Sequence, residues 1–562
     1  MTHRISLALR SLMVFAGVIV VLAAAPRGAT VRFYSDDPLT REPETQDASK
    51  VQPWDIDLFW DLAENLFGNP GDPSTDVKAR NVSTVDEVPD SNWFTNRIGA
   101  RPMSIEDAVR GPLVGAPPAT GRWSVARAKE AGFAPGFTMR DSKGELWFVS
   151  FDANGLPDAA TAAILVANKI FYALGYWQAE NHLIHVRPEE LVIEEGAEVT
   201  PPSGERRRMK SSDVEAVLRR AHRSADGSYR AVAARGLPGK VLGGFRYHGT
   251  RPDDPNDIVL HEHRRELRAL KVFGAWTNLV DMKAGNTLDV LVTENGKSVV
   301  RHYLQDVGST FGTGANALRD YDEGWEHLYE GDLVWKRLVT LGFYLQPWQT
   351  AAYVDNDSVG RFEGVVFEPE DWKPRVPTAA FRRARADDNF WAARRVMAFS
   401  DDMIRAVAET GRYRDPSAAK LLADILIQRR DRIGRVYLTA VNPVVNMMLD
   451  RDGRLTFENA AVMAGVAKEP TQGYIVHWAT FDNTTGQATA IGTPTATTGR
   501  ESRVSAPLPS TAGSFVRVQI SAGTPEHPSW AVPVEAFFRR SADGWTLVGV
   551  DRLPSRPEGE KR

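Results

Sequence analysis

The stretch that most limits how this chain can fold is HEHRRELRALKVFGAWTNLV, residues 261–280. Ala269, Val272, Phe273, Trp276, Leu279 and Val280 recur at three- and four-residue steps, which puts them on one face of a helix. Burying that stripe would hold the end of the helix, just before Asp281, in a fixed place. The residues ahead of the stripe predict a charged, solvated helix start, where Glu262 and Arg265 can pair across one turn. A zinc site is not expected there. His261 and His263 do not share a helix face, and Arg264 and Arg265 stand where a His-Glu-x-x-His helix needs its second His.

The flanking patterns alternate between strand and helix. GFTMRDSKGELWFVSFD reads as strand, turn, strand, with the turn at residues 141–144 and Trp147, Val149 and Phe151 on one face. LPDAATAAILVANKIFYALGY reads as a helix on which Ile164, Ala167, Phe171 and Leu174 repeat and which Gly175 stops. HLIHVRPEELVI is extended. Residues 198–240, with the solvated basic run GERRRMK and the turn-rich ARGLPGK, predict an insertion or exposed flap. GLPGKV lacks the Ser or Thr that a phosphate loop carries after its Lys. RPDDPNDI clusters acidic residues without the EF-hand pattern and reads as a turn leading into the helix, with Asp257 near its N-terminus. TLDVLV and SVVRHYLQD form a hairpin around Glu294-Asn295-Gly296-Lys297. Residues 389–411 and 415–436 read as two helices, and from about 470 the pattern is strand-like.

With 562 residues the chain exceeds one core. Its net charge of -4 suggests neither nucleic acid nor an anionic membrane as partner. The absence of Cys excludes disulfides, thiol nucleophiles and Cys-ligated zinc. Arg4 and Arg10, the apolar run Leu12–Ala25 and the small residues Ala23 to Ala25 make a secretory signal, so export to the periplasm or beyond is expected. Membrane contact then requires an uncleaved N-terminal segment. Residues 30–52 read as a polar linker. Residues 53–120, with a short helix over Ile56–Phe67, are expected to wrap the next domain.

Asp281-Met282-Lys283-Ala284-Gly285-Asn286 is Asp-x-Lys-x-x-Asn, and after the hairpin comes Asp306-Val307-Gly308. Phosphoryl transfer needs a carboxylate to orient the acceptor, and an amide and a second carboxylate for the metal ions. In this order the motifs resemble the protein-kinase-like superfamily, in its atypical HipA-type, spore-coat and secretory-pathway members. The chain is also similar to a group of exported bacterial proteins carrying the run FRYHGTRPDDPNDIVLHEHRRELRAL. The resemblance implies a two-lobed kinase-like core, and the strand-like pattern after about 470 appends a C-terminal β domain, for which a sandwich is one arrangement, so an α+β chain is expected. The boundaries are a signal peptide at 1–29, a linker and wrapping segment at 30–125, the core at 126–465 and the β domain at 466–562. The small lobe covers about 126–190 and the large lobe about 255–465.

The resemblance further implies Asp281 as base, Lys283 near the transferred phosphate, Asn286 and Asp306 as metal ligands, and Mg or Mn with ATP as cofactor. An unidentified hydroxyl compound would be the acceptor. Gly132, Gly136 and Ser150 would line the nucleotide. Ser150 stands where the family carries a Lys, and Ala163 and Ile164 offer no carboxylate to pair with one. Leu279-Val280 precede Asp281 in place of His-Arg, and Val307 replaces Phe. These departures leave a second expectation open, an inactive kinase-like scaffold that binds partners in the envelope.

Overall fold

The computed structural model describes residues 31–43, 46–129, 134–200, 204–354 and 356–553. The expected signal segment and Gly132 lie outside them. The fold is α+β. Helix α1 (Leu58–Phe67) and a short α2 (Ile105–Arg110) precede three antiparallel strands, β1 (Trp123–Ala128), β2 (Gly136–Arg140) and β3 (Leu146–Phe151). Helix α3 (Ala159–Leu174) follows, then β4 (Asn181–Val186), β5 (Leu191–Val199), β6 (Arg207–Arg208), α4 (Ser211–Arg220) and β7 (Tyr229–Arg235). These strands form one seven-stranded sheet in the order β4-β7-β3-β2-β1-β5-β6.

Asp152 ties the end of β3 to the start of α3. Its Oδ1 accepts from the Thr161 N–H at 2.8 Å, and its Oδ2 from the Thr161 hydroxyl at 2.8 Å and the Asp158 N–H at 3.1 Å. Asp158 takes a left-handed backbone (φ 68°) and makes no cap of its own, so Asp152 satisfies one orphan donor of the first turn, the Thr161 N–H. At the far end Gly175 (φ 124°) closes the helix, as expected.

The segment 198–240 is not simply a flap. Its last part, β7, is an interior strand between β3 and β4, with Ala231 and Ala233 fully buried. YRAVAAR hides this role because its inward residues are Ala, which fit between close-packed layers but give no large-apolar alternation.

The charged stretch 261–268 departs most from expectation. After β8 (Lys240–Gly243) the chain makes a 3-10 turn at His261–His263, then α5 (Arg265–Arg268), then α6 (Leu270–Thr277). The start is therefore broken, and it is buried. Glu262 and Arg265 are 0% exposed and do not pair with each other. The partners come from elsewhere in the sequence. Strands β9 (Thr287–Glu294) and β10 (Lys297–Leu304) pair beyond the stretch and join β8 in a three-stranded sheet. Then come α7 (Gly331–Val339), α8 (Ala379–Arg382), α9 (Ala386–Met397), α10 (Asp401–Glu409) and α11 (Pro416–Tyr437). The helix expected over 389–411 is thus two, because Ser400 Oγ accepts from the Met403 N–H and starts α10 afresh. Arg265 bonds to Asp387 at 3.2 Å and Asp388 at 2.9 Å on α9, and to Asp86 at 3.0 Å on the N-terminal segment. Arg268 reaches Asp388 at 3.0 Å and His263 reaches Asp72 at 2.9 Å.

Strands continue from β11 (Val444–Leu449) and β12 (Arg454–Asn459) through β13 (Tyr474–Phe481), β14 (Ala488–Ala490), β15 (Thr495–Thr497) and β16 (Glu501–Arg503). The last three are β17 (Phe515–Ala522), β18 (Val534–Arg540) and β19 (Trp545–Asp551). β12 pairs with β16, so the β region begins at Val444, ahead of the boundary placed at 466. Its larger sheet shares one core with the helices: Val476, Trp478 and Val518 join Phe273, Trp391 and Leu422. Parts of the stretch expected as a linker are packed. Phe33 fills a cluster with Phe481, Phe537 and Val548, and Ala48 and Val51 pack on Leu242 and Val300.

Removing one partner of a buried ion pair strands the others, at about 3–5 kcal/mol. Arg265→Met is therefore expected to lower the unfolding free energy by about that amount, read as a shift of the urea midpoint, whereas Arg219→Met on the exposed face of α4 leaves it within about 0.5 kcal/mol.

Candidate functional site

The buried stripe of α6 ends at Asn278, whose left-handed backbone (φ 54°) turns the chain into residues 279–286. Its Oδ1 accepts from Trp372 Nε1 at 2.8 Å, which locks the turn. Leu279, Val280, Met282 and Ala284 are buried, so the alternate residues Asp281 and Lys283 are left facing outward. Lys283 Nζ lies 2.9 Å from Asp281 Oδ1, and Arg319 Nη2 lies 3.9 Å from its Oδ2. Asn286 Nδ2 donates to the Asp281 carbonyl at 2.8 Å and closes the loop. That bond uses an amide N–H and leaves Oδ1, a hard oxygen acceptor, unspent.

β9 and β10 then carry the chain out and back. The Gln305 N–H donates to the Asn286 carbonyl at 2.9 Å, so Asp306 is delivered beside Asn286. Asp306 is exposed and left-handed (φ 50°). Among the described residues its carboxylate forms no ion pair and accepts no hydrogen bond. Gly308 follows where α3 comes closest, and a Cβ there would lie 2.4 Å from Ile164 Cγ1. Glycine is required by that approach. Asp281, Lys283, Asn286 and Asp306 therefore stand on one edge. Asn286 and Asp306 offer oxygen donors suited to Mg or Mn, with further positions left to phosphate and water. Among the described residues no cluster of three or more His, Cys, Asp or Glu could hold a metal by itself.

Sequence reasoning missed the support for this loop. α1 is inverted relative to its apolar pattern: Phe59 is 79% exposed while Asp61 is 3% exposed. Leu58 packs against Gly285, and Asp61 faces the Ala284 backbone. Burial pushes the Asp61 carboxyl up to about 6, against the pull of Arg246 and the Ala284 N–H. Asp61 and Asn65, polar residues four apart in LFWDLAENLF and both buried, were the available signal.

Gly136 and Ser150 lie on the seven-stranded sheet. Gly136 is directly opposite Ser150 in the β2–β3 register, and a Cβ on it would lie 2.3 Å from the Val149 carbonyl. Trp147, Val149 and Phe151 enter the core with Ala231 and Ala233. Phe148 and Ser150 point the other way, toward the side on which Arg230 Nε donates to Thr161 of α3 at 2.7 Å. That side also holds Gly308, because Ile164 lies one helical turn beyond Thr161. α3 presents Ile164 to Gly308, and Ala163 is buried in the core. No family model matches the chain, and no curated protein matches it.

The raised Asp61 carboxyl has a definite sign in stability. The folded chain holds this proton more tightly than the unfolded chain, so the contribution is present at pH below about 4 and lost as pH rises toward about 6. Relative to the parent, Asp61→Asn is expected to gain stability between those limits. Urea unfolding at pH 4 and pH 6.5 checks it: an equal parent-to-variant difference at both values refutes the assignment.

Proposed function

We propose that the chain is an exported, metal- and nucleotide-dependent phosphotransferase of the protein-kinase-like type that acts on a hydroxyl acceptor. The observation that carries this reading is the double tether at Asn286. Its side chain bonds to the Asp281 carbonyl and its own carbonyl bonds to the residue before Asp306. A carboxylate base, an amide oxygen and a free carboxylate thereby share one edge, the parts that phosphoryl transfer to a hydroxyl needs. The small-lobe reading draws support from β2, β3 and α3, which follow one another in the expected order and bring α3 onto Gly308.

Asn286 and Asp306 would hold the metal, which supplies charge neutralisation on the phosphates. Asp281 orients the acceptor hydroxyl and takes its proton as the oxygen attacks the terminal phosphorus. The bond from that phosphorus to the bridging oxygen breaks, and ADP leaves. Lys283, 2.9 Å from Asp281, would lie near the transferred phosphate. The apolar contact of Ile164 with Gly308 favours a second reading, a scaffold that binds nucleotide without transferring phosphate.

Calorimetry with Mn-ATP and Mg-ATP on the purified chain tests both. Metal-dependent binding is expected, weakened at least about tenfold by Asp306→Ala. Asp281→Asn should retain binding and lower phosphate transfer by about 10²–10⁴-fold. No metal-nucleotide binding by the parent sinks the enzyme; binding with no transfer to any hydroxyl compound or to water selects the scaffold.

A further inference from the structure

The cation missing from β3 has a replacement in reach. Lys129 follows the last residue of β1, and its N–H donates to the Gly136 carbonyl at 3.0 Å. Its Nζ lies 3.4 Å from Ser150 Oγ, beside the strand position that the family fills with Lys. Gly136, opposite Ser150, puts no side chain in the way. Among the described residues Lys129 meets no carboxylate.

A second group stands on the same face. Phe148 lies two residues before Ser150, is 51% exposed, and is paired in register with Thr138 and Ala234. Side chains two apart on a strand share a face and are about 6.6–6.8 Å apart. An exposed ring and an ammonium on one face of the sheet offer the two contacts a nucleotide takes, stacking for its base and charge for its phosphate. An exposed aromatic ring gives such a base a stacking platform.

We infer that Lys129 and Phe148 form the nucleotide seat of this chain: Lys129 takes a phosphate in place of a lysine on β3, and Phe148 stacks the base. This rests on the phosphotransferase or nucleotide-binding reading of the Asp281–Asp306 edge, and it assigns a cation beyond Lys283, which is paired with Asp281 at 2.9 Å. Arg319 reaches Asp281 at 3.9 Å and Glu323 at 3.3 Å, so its charge is already compensated. Buried Lys169 is on α3 but packs against Gly111, away from Gly308.

The test is equilibrium binding of Mn-ATP and of Mn-tripolyphosphate, which lacks the base, to the full chain and its variants. Lys129→Ala is expected to weaken both at least about tenfold, as loss of one charge-assisted contact does. Phe148→Ala should weaken Mn-ATP and leave Mn-tripolyphosphate unchanged. Lys129→Ala combined with Ser150→Lys should regain most of the lost affinity, which a general loss of fold would not allow. Both residues are exposed, so the thermal midpoint should hold in each single variant. If the parent binds Mn-ATP and Lys129→Ala binds equally well, the assignment of the cation is overturned while the Asp281–Asp306 reading stands. Equal Mn-ATP affinity in Phe148→Ala overturns the base seat. A parent that binds neither ligand removes the seat together with the reading beneath it.

Discussion

Arg265 is wholly enclosed, and three carboxylates from two distant segments meet it at 2.9–3.2 Å. Removing a guanidinium from water costs several kcal/mol, and only a complete set of partners offsets that cost. Arg264 extends the set to Glu42 at 3.2 Å, and Arg268 joins it to Asp388 at 3.0 Å. The set therefore forms only when residues 42–86, the 261–268 turn and α9 are all in place. Everything after Arg268 inherits its position from this closure: α6, the Asn278 turn and the loop from Asp281 to Asn286. Neighbouring arginines use other means. Burial lowers Arg395 to about 10, and its guanidinium lies 3.6 Å over the Trp391 ring while reaching Glu87 and Asn96.

Local order was readable from the sequence, and charge placement was not. The β2–β3 hairpin, α3 with its Gly175 stop, and the Asn295-Gly296 turn depend on neighbours within a few residues. Alternation and turn chemistry reveal such features. The solvated start expected for HEHRRELRAL failed because the partners of Arg265 are Asp86, Asp387 and Asp388, each more than a hundred residues away. β7 failed because alanine is small enough to be buried from either side of a sheet and marks neither. The helix expected over 56–67 is present as α1, but its facing was hidden because Phe59 and Phe67 lie outward and Asp61 inward.

The same contrast divides the candidate site. Its lower edge is assembled within a short reach of sequence, from Asp281 to Gly308, so its spacing could be read directly. The proposed nucleotide seat is assembled across strands. Lys129, Gly136 and Ser150 meet only through the pairing of β1, β2 and β3, and a spacing rule looks for the cation on β3 alone. Asp61 belongs to neither surface in sequence, yet α1 supports the Asp281–Asn286 loop from outside through Leu58 and Asp61.

Phe33 and Arg32 also bear on how such a chain comes to be folded. Phe33 sits among Phe481, Phe537 and Val548, and Arg32 pairs with Asp551 at the end of β19. On a growing chain, residue 33 emerges before any of these strands exists. Its groove is complete only after the last strand has been made, so the early segment must wait unpaired through most of synthesis. Because Arg32 and Phe33 close on β13, β18 and β19, full protection of β19 against hydrogen exchange should appear only when that early segment has docked.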